Sequence, residues 1–240
     1  VKFGTLYLIP VTLGDIDITA LLPKSMPPEV ITTAQKLEHF VVETEKPARQ
    51  FLSAIKTSRP VRELSINLLN EHTQDKDLPA LLAPLLAGHD LGLMSDAGCP
   101  GVADPGAKLV ELAHKKGIRV VPFVGPSSIL LSLMASGLNG QSFAFLGYLP
   151  VDKATRIAKL KEIEKRSISN KETQIFIETP YRNQQILEAI LSTCNTNTRL
   201  CIACHISLAD EMIVTKRIID WRQSELPNLN KKPTVFLLLA

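Results

Sequence analysis

The run Ser95-Asp96-Ala97-Gly98-Cys99-Pro100-Gly101-Val102-Ala103-Asp104-Pro105-Gly106 places three glycines, two prolines and two carboxylates within twelve residues. Positions without a Cβ let backbone come close to a ligand, and a carboxylate such as Asp96 is able to take up a proton. An ordinary turn from strand to helix uses the same residue types, and the spacing lacks the dinucleotide fingerprint. Pro122-Phe123-Val124-Gly125-Pro126-Ser127-Ser128-Ile129 offers Ser127 or Ser128 as a helix N-cap, and the free N–H groups of a helix start attract a carboxylate. A capped helix with no ligand fits these residues too. In Ile175-Phe176-Ile177-Glu178-Thr179-Pro180-Tyr181-Arg182, a strand runs out into a carboxylate, a proline turn and an arginine. Glu178 and Arg182 form either a surface ion pair of little worth or part of the same strand-end rim as the other two loops.

The elements that must position these loops follow from apolar periodicity and from Gly/Pro punctuation. Strands are expected over residues 5–10, 40–43, 63–69, 90–95 and 118–122. Between them come helices opened by Pro27-Pro28-Glu29 and spanning 46–56, 78–88 (kinked at Pro84) and 107–116. This alternation predicts a parallel sheet covered on both faces, with ligands outside the carboxyl ends of its strands. A second unit is expected with helices 128–136, 153–166 and 183–192 and strands 143–148, 174–178, 199–206, 212–218 and 234–239. The fold class is therefore α/β, with two α/β domains, 1–122 and 123–240, meeting near Val121 to Gly125.

Composition excludes several classes. With 45% hydrophobic and 21% charged residues and a mean hydropathy of +0.11, the chain reads as globular rather than disordered. The longest apolar candidate, residues 129–138, is interrupted by Ser132, Ser136 and Gly137, so no membrane span is expected. The first residues read at once as a strand and not as a signal peptide. A net charge of +3 neither demands nor excludes nucleic acid. The four cysteines (Cys99, Cys194, Cys201, Cys204) are expected as reduced thiols of a cytoplasmic protein. Cys201 and Cys204 lie three apart in a strand and point to opposite faces, so they share no metal. His39, His72, His89, His114 and His205 show no ligand spacing, and no metal is expected. The helix at 153–166 is rich in basic residues, Lys159 and Lys161 among them. No aromatic residue interleaves them, so the helix itself gives no support for base stacking.

In order along the chain, SDAGCPGVADPG (95–106), GPSS (125–128), GYLP (147–150) and ETPYR (178–182) resemble the tetrapyrrole methylase superfamily. Within it they are most similar to the small-subunit ribosomal RNA 2′-O-methyltransferase I family, over about residues 4–239. The resemblance implies a homodimeric, two-domain methyltransferase that binds folded S-adenosylmethionine (SAM) in the cleft between its domains. It places Pro10, Ser95, Gly98, Gly101, Val102, Ser127, Ser128, His205 and Thr234 at the cofactor. Asp96 and Glu178 become candidate catalytic residues, and His72, Lys159 and Arg182 candidate substrate contacts. On this reading Gly98→Val should abolish cofactor binding with little loss of fold. Charge reversal at Lys159, Lys161 and Arg182 should flatten the salt dependence of RNA binding.

Three strings depart from those of the resembling family. Its proline-threonine-proline run before glycine-asparagine is here Pro10-Val11-Thr12-Leu13-Gly14-Asp15. Its alanine-glutamate-aspartate-threonine-arginine string is here Val41-Val42-Glu43-Thr44-Glu45, with a carboxylate that would repel phosphate where an arginine would pair with it. Its late arginine-glutamate pair is here Cys204-His205. Three functions therefore stay open: ribose methylation of ribosomal RNA or the small subunit, methylation of a tetrapyrrole or other small molecule, and SAM binding without turnover.

Overall fold

The computed structural model describes residues 2–14 and 17–240, so Val1, Asp15 and Ile16 lie outside the described residues. The chain divides into two compact units, Val1–Ser127 and Ser128–Ala240.

The first unit contains β1 (Thr5–Leu8), α1 (Ile18–Ser25), α2 (Pro28–Lys36), β2 (His39–Val42), α3 (Glu45–Ile55), β3 (Ser65–Leu68), α4 (Leu78–Leu81), α5 (Ala83–Leu86), β4 (Leu91–Met94), α6 (Gly106–Lys115) and β5 (Arg119–Pro122). Its five strands are all parallel, in the order β3-β2-β4-β1-β5. Because strand side chains alternate between faces, the sheet buries two separate clusters. Ile9, Phe40, Val42 and Met94 pack under α1, α2 and α3. Leu6, Val41, Leu91 and Leu93 pack under α4, α5 and α6. The helix expected at 78–88 is two short helices, since Pro84 has no N–H with which to continue the ladder. Helix α1 was not expected from the sequence. It is short, carries Pro23 inside it, and starts on Asp17, whose carboxylate accepts the Ala20 amide at 3.2 Å.

The strand order decides where the crevice lies. From β2 the chain moves outward through α3 to the edge strand β3, while from β4 it moves through α6 to the opposite edge, β5. Helices α3 and α6 cover opposite faces. The loops after β2 and β4 therefore diverge, and the gap between them is the topological switch point, where open α/β sheets bind ligands.

The second unit contains α7 (Ser128–Ser136), β6 (Phe143–Tyr148), α8 (Lys153–Asn170), β7 (Thr173–Ile177), α9 (Asn183–Thr193), β8 (Arg199–Cys204), β9 (Met212–Arg217), α10 (Ile218–Arg222) and β10 (Thr234–Leu239). Its mixed sheet runs β6-β7-β10-β8-β9, with only β6 and β7 parallel. Phe176, Leu200, Ile202, Cys204, Trp221 and Phe236 share one core with α8 and α9, and the Trp221 indole N–H donates to Leu200 O at 2.9 Å. Cys204 belongs to that core and Cys201 does not, as the alternation requires. Burial pushes both thiols up, and Cys194 is pushed up to about 12. Among the described residues, no helix is long and apolar enough to cross a membrane.

Candidate functional site

The parallel strands of the first sheet all end at one edge, and the loops leaving that edge carry most of the expected residues. Three of these loops are clamped together. The Val11 amide donates to Gly98 O at 2.9 Å, joining the loop after β1 to the loop after β4. Gly98 has φ +72, and a Cβ on it would lie 3.2 Å from Pro126 O and 3.3 Å from Leu13 Cδ2. The Cys99 thiol donates to Pro126 O at 3.3 Å. A Cβ on Gly125 would meet Pro10 Cβ at 2.2 Å. Gly98 and Gly125 thus let the loops after β1, β4 and β5 touch. Gly98→Val would therefore disturb the fold as well as any ligand, contrary to the expectation from sequence. Gly101 differs, with φ +83 and nothing within 4 Å of an added Cβ.

The rest of the central loop is held by Asp104. Its Oδ2 accepts the Gly101 amide at 2.8 Å and its Oδ1 the Gly106 amide at 2.7 Å. Burial raises the Asp104 pKa, and the backbone N–H groups pull it back. Val102, on the resulting turn, is exposed. Ser95 is buried, with its hydroxyl donating to Ala97 O at 3.2 Å.

At the switch point itself, the Asp96 amide donates to Glu43 Oε2 at 3.1 Å, and the Thr44 hydroxyl donates to Asp96 Oδ2 at 2.7 Å. Burial raises the Glu43 pKa, and the Asp96, Asp104 and Glu71 carboxylates push the same way. Glu43 was not singled out in the sequence. The available signal was its place directly after a strand. Glu45 pairs with Arg49 at 2.7 Å, so its charge is locally offset rather than free to repel phosphate. His72 follows the edge strand β3 and is solvent-exposed, 3.6 Å from Glu71.

In the second unit one end of the sheet gathers Glu178, Thr234 and His205. Thr234 pairs with Cys204 across β10 and β8, and Val235 with Ile177 across β10 and β7. Glu178 and Arg182 form a 2.9 Å ion pair with side chains only 1% and 20% exposed, so it is not a surface pair. Arg182 also reaches Pro150 O at 3.5 Å, linking the ETPYR and GYLP loops. His205 has φ +51, and its Nδ1 lies 2.7 Å from Asp210 Oδ2, a contact that lowers the Asp210 pKa. Lys159 sits within α8, paired with Glu162 at 2.6 Å, so its charge is partly spoken for. Ser128 is the first residue of α7. Among the described residues no cluster of side chains could hold a metal ion.

The tetrapyrrole (corrin/porphyrin) methylases, taken as a family, match residues 6–220. The chain belongs to this family. The tetrapyrrole methylase fold extends to solved structures. The methyltransferase CobJ superposes with a TM-score of 0.64 at 16% identity, covering 100% of this chain and 94% of that one. The cobalt precorrin-4 methyltransferase CbiF superposes at 0.60 and 13%, covering 98% and 94%. At such identities the likeness is one of fold, and it gives the two-domain α/β architecture expected from the motifs. Curated relatives are nearer in sequence. "Ribosomal RNA small subunit methyltransferase I" of Vibrio cholerae is 30% identical over 216 residues, 87% of this chain and 67% of the relative. Its namesake in Halalkalibacterium halodurans is 29% identical over 214 residues, 88% and 65%. That of Mesorhizobium japonicum is 39% identical over 133 residues, 55% and 44%. The chain thus spans 44–67% of the length of these relatives.

Proposed function

We propose that this tetrapyrrole methylase is a SAM-dependent methyltransferase acting on ribosomal RNA, with a ribose 2′-oxygen as acceptor. The observation that carries the reading is the clamped rim of the first sheet. The SDAG and GPSS loops meet at Gly98 beside the switch point, in a chain whose curated relatives bear an rRNA methyltransferase name.

The residues fit the cofactor. Gly101 leaves open space where a Cβ would stand, beside exposed Val102, and Asp104 keeps the turn in shape. Pro10, Ser95, Gly98, Gly101, Val102 and Ser127, all of the first unit, are assigned to it. When bound, SAM supplies an electrophilic methyl group on a sulfonium. The chain's own work is orientation and removal of the acceptor hydroxyl proton. Asp96, exposed and oriented by Thr44, is the proton acceptor, and Glu43 holds the Asp96 backbone. Glu178 suits that role poorly, because Arg182 and the Thr179 amide occupy its carboxylate. His72, Lys159 and Arg182 stay on the substrate side of the proposal.

The test is transfer of labelled methyl from SAM to small ribosomal subunits from cells lacking the protein, beside extracts containing precorrins. Label in a ribose of small-subunit RNA is expected. Label only in a tetrapyrrole would replace the acceptor, and SAM binding with no transfer to either would make the chain a binding module. We further propose a cytoplasmic homodimer. Light scattering giving 26.4 kDa across micromolar concentrations, or recovery of the protein with membranes, would overturn that part.

A further inference from the structure

Tyr148 and Tyr181 sit at the same end of the second sheet. Tyr148 closes β6, paired with Ile177 of the parallel neighbour β7, and Tyr181 lies in the turn that follows β7. The chain has three tyrosines and one tryptophan. Tyr7 stacks on Phe123 and Trp221 is buried, whereas Tyr148 is 60% and Tyr181 73% exposed.

The backbone beneath these exposed rings is fixed. Arg182 ties Glu178 to Pro150 O, Arg156 donates to Val151 O at 2.8 Å from a buried position, and Pro180 O accepts the Lys231 amide at 3.0 Å. Val151, between the two loops' anchor points, is 74% exposed. Contiguous exposed apolar surface marks an interaction site, and Tyr148, Val151 and Tyr181 lie on two loops joined by the Arg182 contact to Pro150 O. Lys153, five residues beyond Tyr148, is exposed and makes no ion pair among the described residues, while the neighbouring Asp152 carboxylate is occupied by the Thr155 amide and hydroxyl. Through the Arg182 contact to Pro150 O, the fold joins the turn that carries Tyr181 to the loop that leads into the basic helix α8.

We propose that Tyr148 and Tyr181 form a stacking platform for an unpaired base of the RNA acceptor, with Lys153 meeting a flanking phosphate. This rests on the reading of RNA as acceptor. Stacking accepts any base, because every base has a π-face, and it gains from a cation beside the strand.

The test is binding of the 240-residue protein to a fluorescein-labelled oligoadenylate by anisotropy, alongside an abasic strand of equal length, an RNA duplex and uroporphyrin. Tyr148→Ala and Tyr181→Ala should each weaken oligoadenylate binding about 5- to 150-fold. Neither should change abasic-strand binding, SAM binding or the far-ultraviolet spectrum, and both Tyr→Phe variants should restore affinity. Lys153→Glu should flatten the salt dependence on both strands. Alanine variants that bind oligoadenylate like the wild type overturn the platform, as does tyrosine-dependent binding of uroporphyrin by a protein that binds no RNA. Tyrosine-dependent RNA binding without methyl transfer to small-subunit RNA supports the platform and sinks the proposed activity instead.

Discussion

The backbone amide of Asp96 donates to the carboxylate of Glu43 across the gap between β4 and β2, at 3.1 Å. Burial raises the Glu43 pKa above its ordinary 4.5, so over the range just above that value the folded chain binds more protons than the unfolded one. Stability then falls as pH rises through that range, and the full penalty remains above the folded pKa. Glu43→Gln keeps an acceptor for the Asp96 amide and removes the half-buried charge. It should raise the melting temperature at pH 7 to 8, with the gain vanishing below pH 4.5. A variant that melts lower than wild type at pH 8 would contradict this account.

Gly125 and Gly101 should respond differently to alanine. At Gly125 the methyl would enter Pro10, and overpacking of this kind costs about 1–3 kcal/mol and should displace the first loop. At Gly101 the methyl meets open space, and the cost is the left-handed backbone, about 1–2 kcal/mol. Urea midpoints measure the first difference. Calorimetry with SAM measures the second, where Gly101→Ala should reduce affinity with the loops after β1 and β5 still clamped. Equal SAM affinity in Gly101→Ala and wild type would remove Gly101 from the cofactor site.

Asp104 satisfies two loop amides, so Asp104→Ala should cost about 2–4 kcal/mol, and Asp104→Asn, which keeps one acceptor oxygen, clearly less. Equal losses measured by chemical denaturation would mean that the amides find other partners.

Arg182 is not a clean probe of phosphate binding, contrary to the expectation from sequence, because its removal strands a carboxylate that is 1% exposed. Arg182→Ala should destabilise by about 3–5 kcal/mol, and adding Glu178→Ala should recover part of that. Lys161, exposed and without an ion pair among the described residues, is the better probe. Lys161→Glu should leave stability within about 0.5 kcal/mol and, if RNA is bound there, lower the log–log salt slope by about 0.7 for each phosphate no longer neutralised. An unchanged slope would place the phosphate path elsewhere.

Much of the fold was legible where pattern is local. The bounds of α7, β6 and β10 agree with the sequence reading, because each is an apolar segment with sharp Gly, Pro or Ser boundaries. Helices α1 and α10 were missed, being eight and five residues long, too short for a 3.6-residue period to show. Helix α8 runs four residues further than expected, to Asn170, through the weak helix former Ser167, which is buried here with its hydroxyl donating to Glu172 O at 2.9 Å.

The sequence by itself determined the family, the α/β class and the loops that matter, because glycines, prolines and motif spacing are local properties that survive divergence. It placed Asp96, Gly98 and Gly125 in those loops, but gave Gly98 to the ligand alone. Only the tertiary structure decided which loops meet. Inserting β4 between β2 and β1 sets Asp96 beside Glu43 and Gly98 beside Val11, while Arg182 draws Tyr181 toward the GYLP loop. Strand order is fixed by crossovers and by burial on two faces, summed over the whole sheet, and no window of neighbouring residues carries that sum.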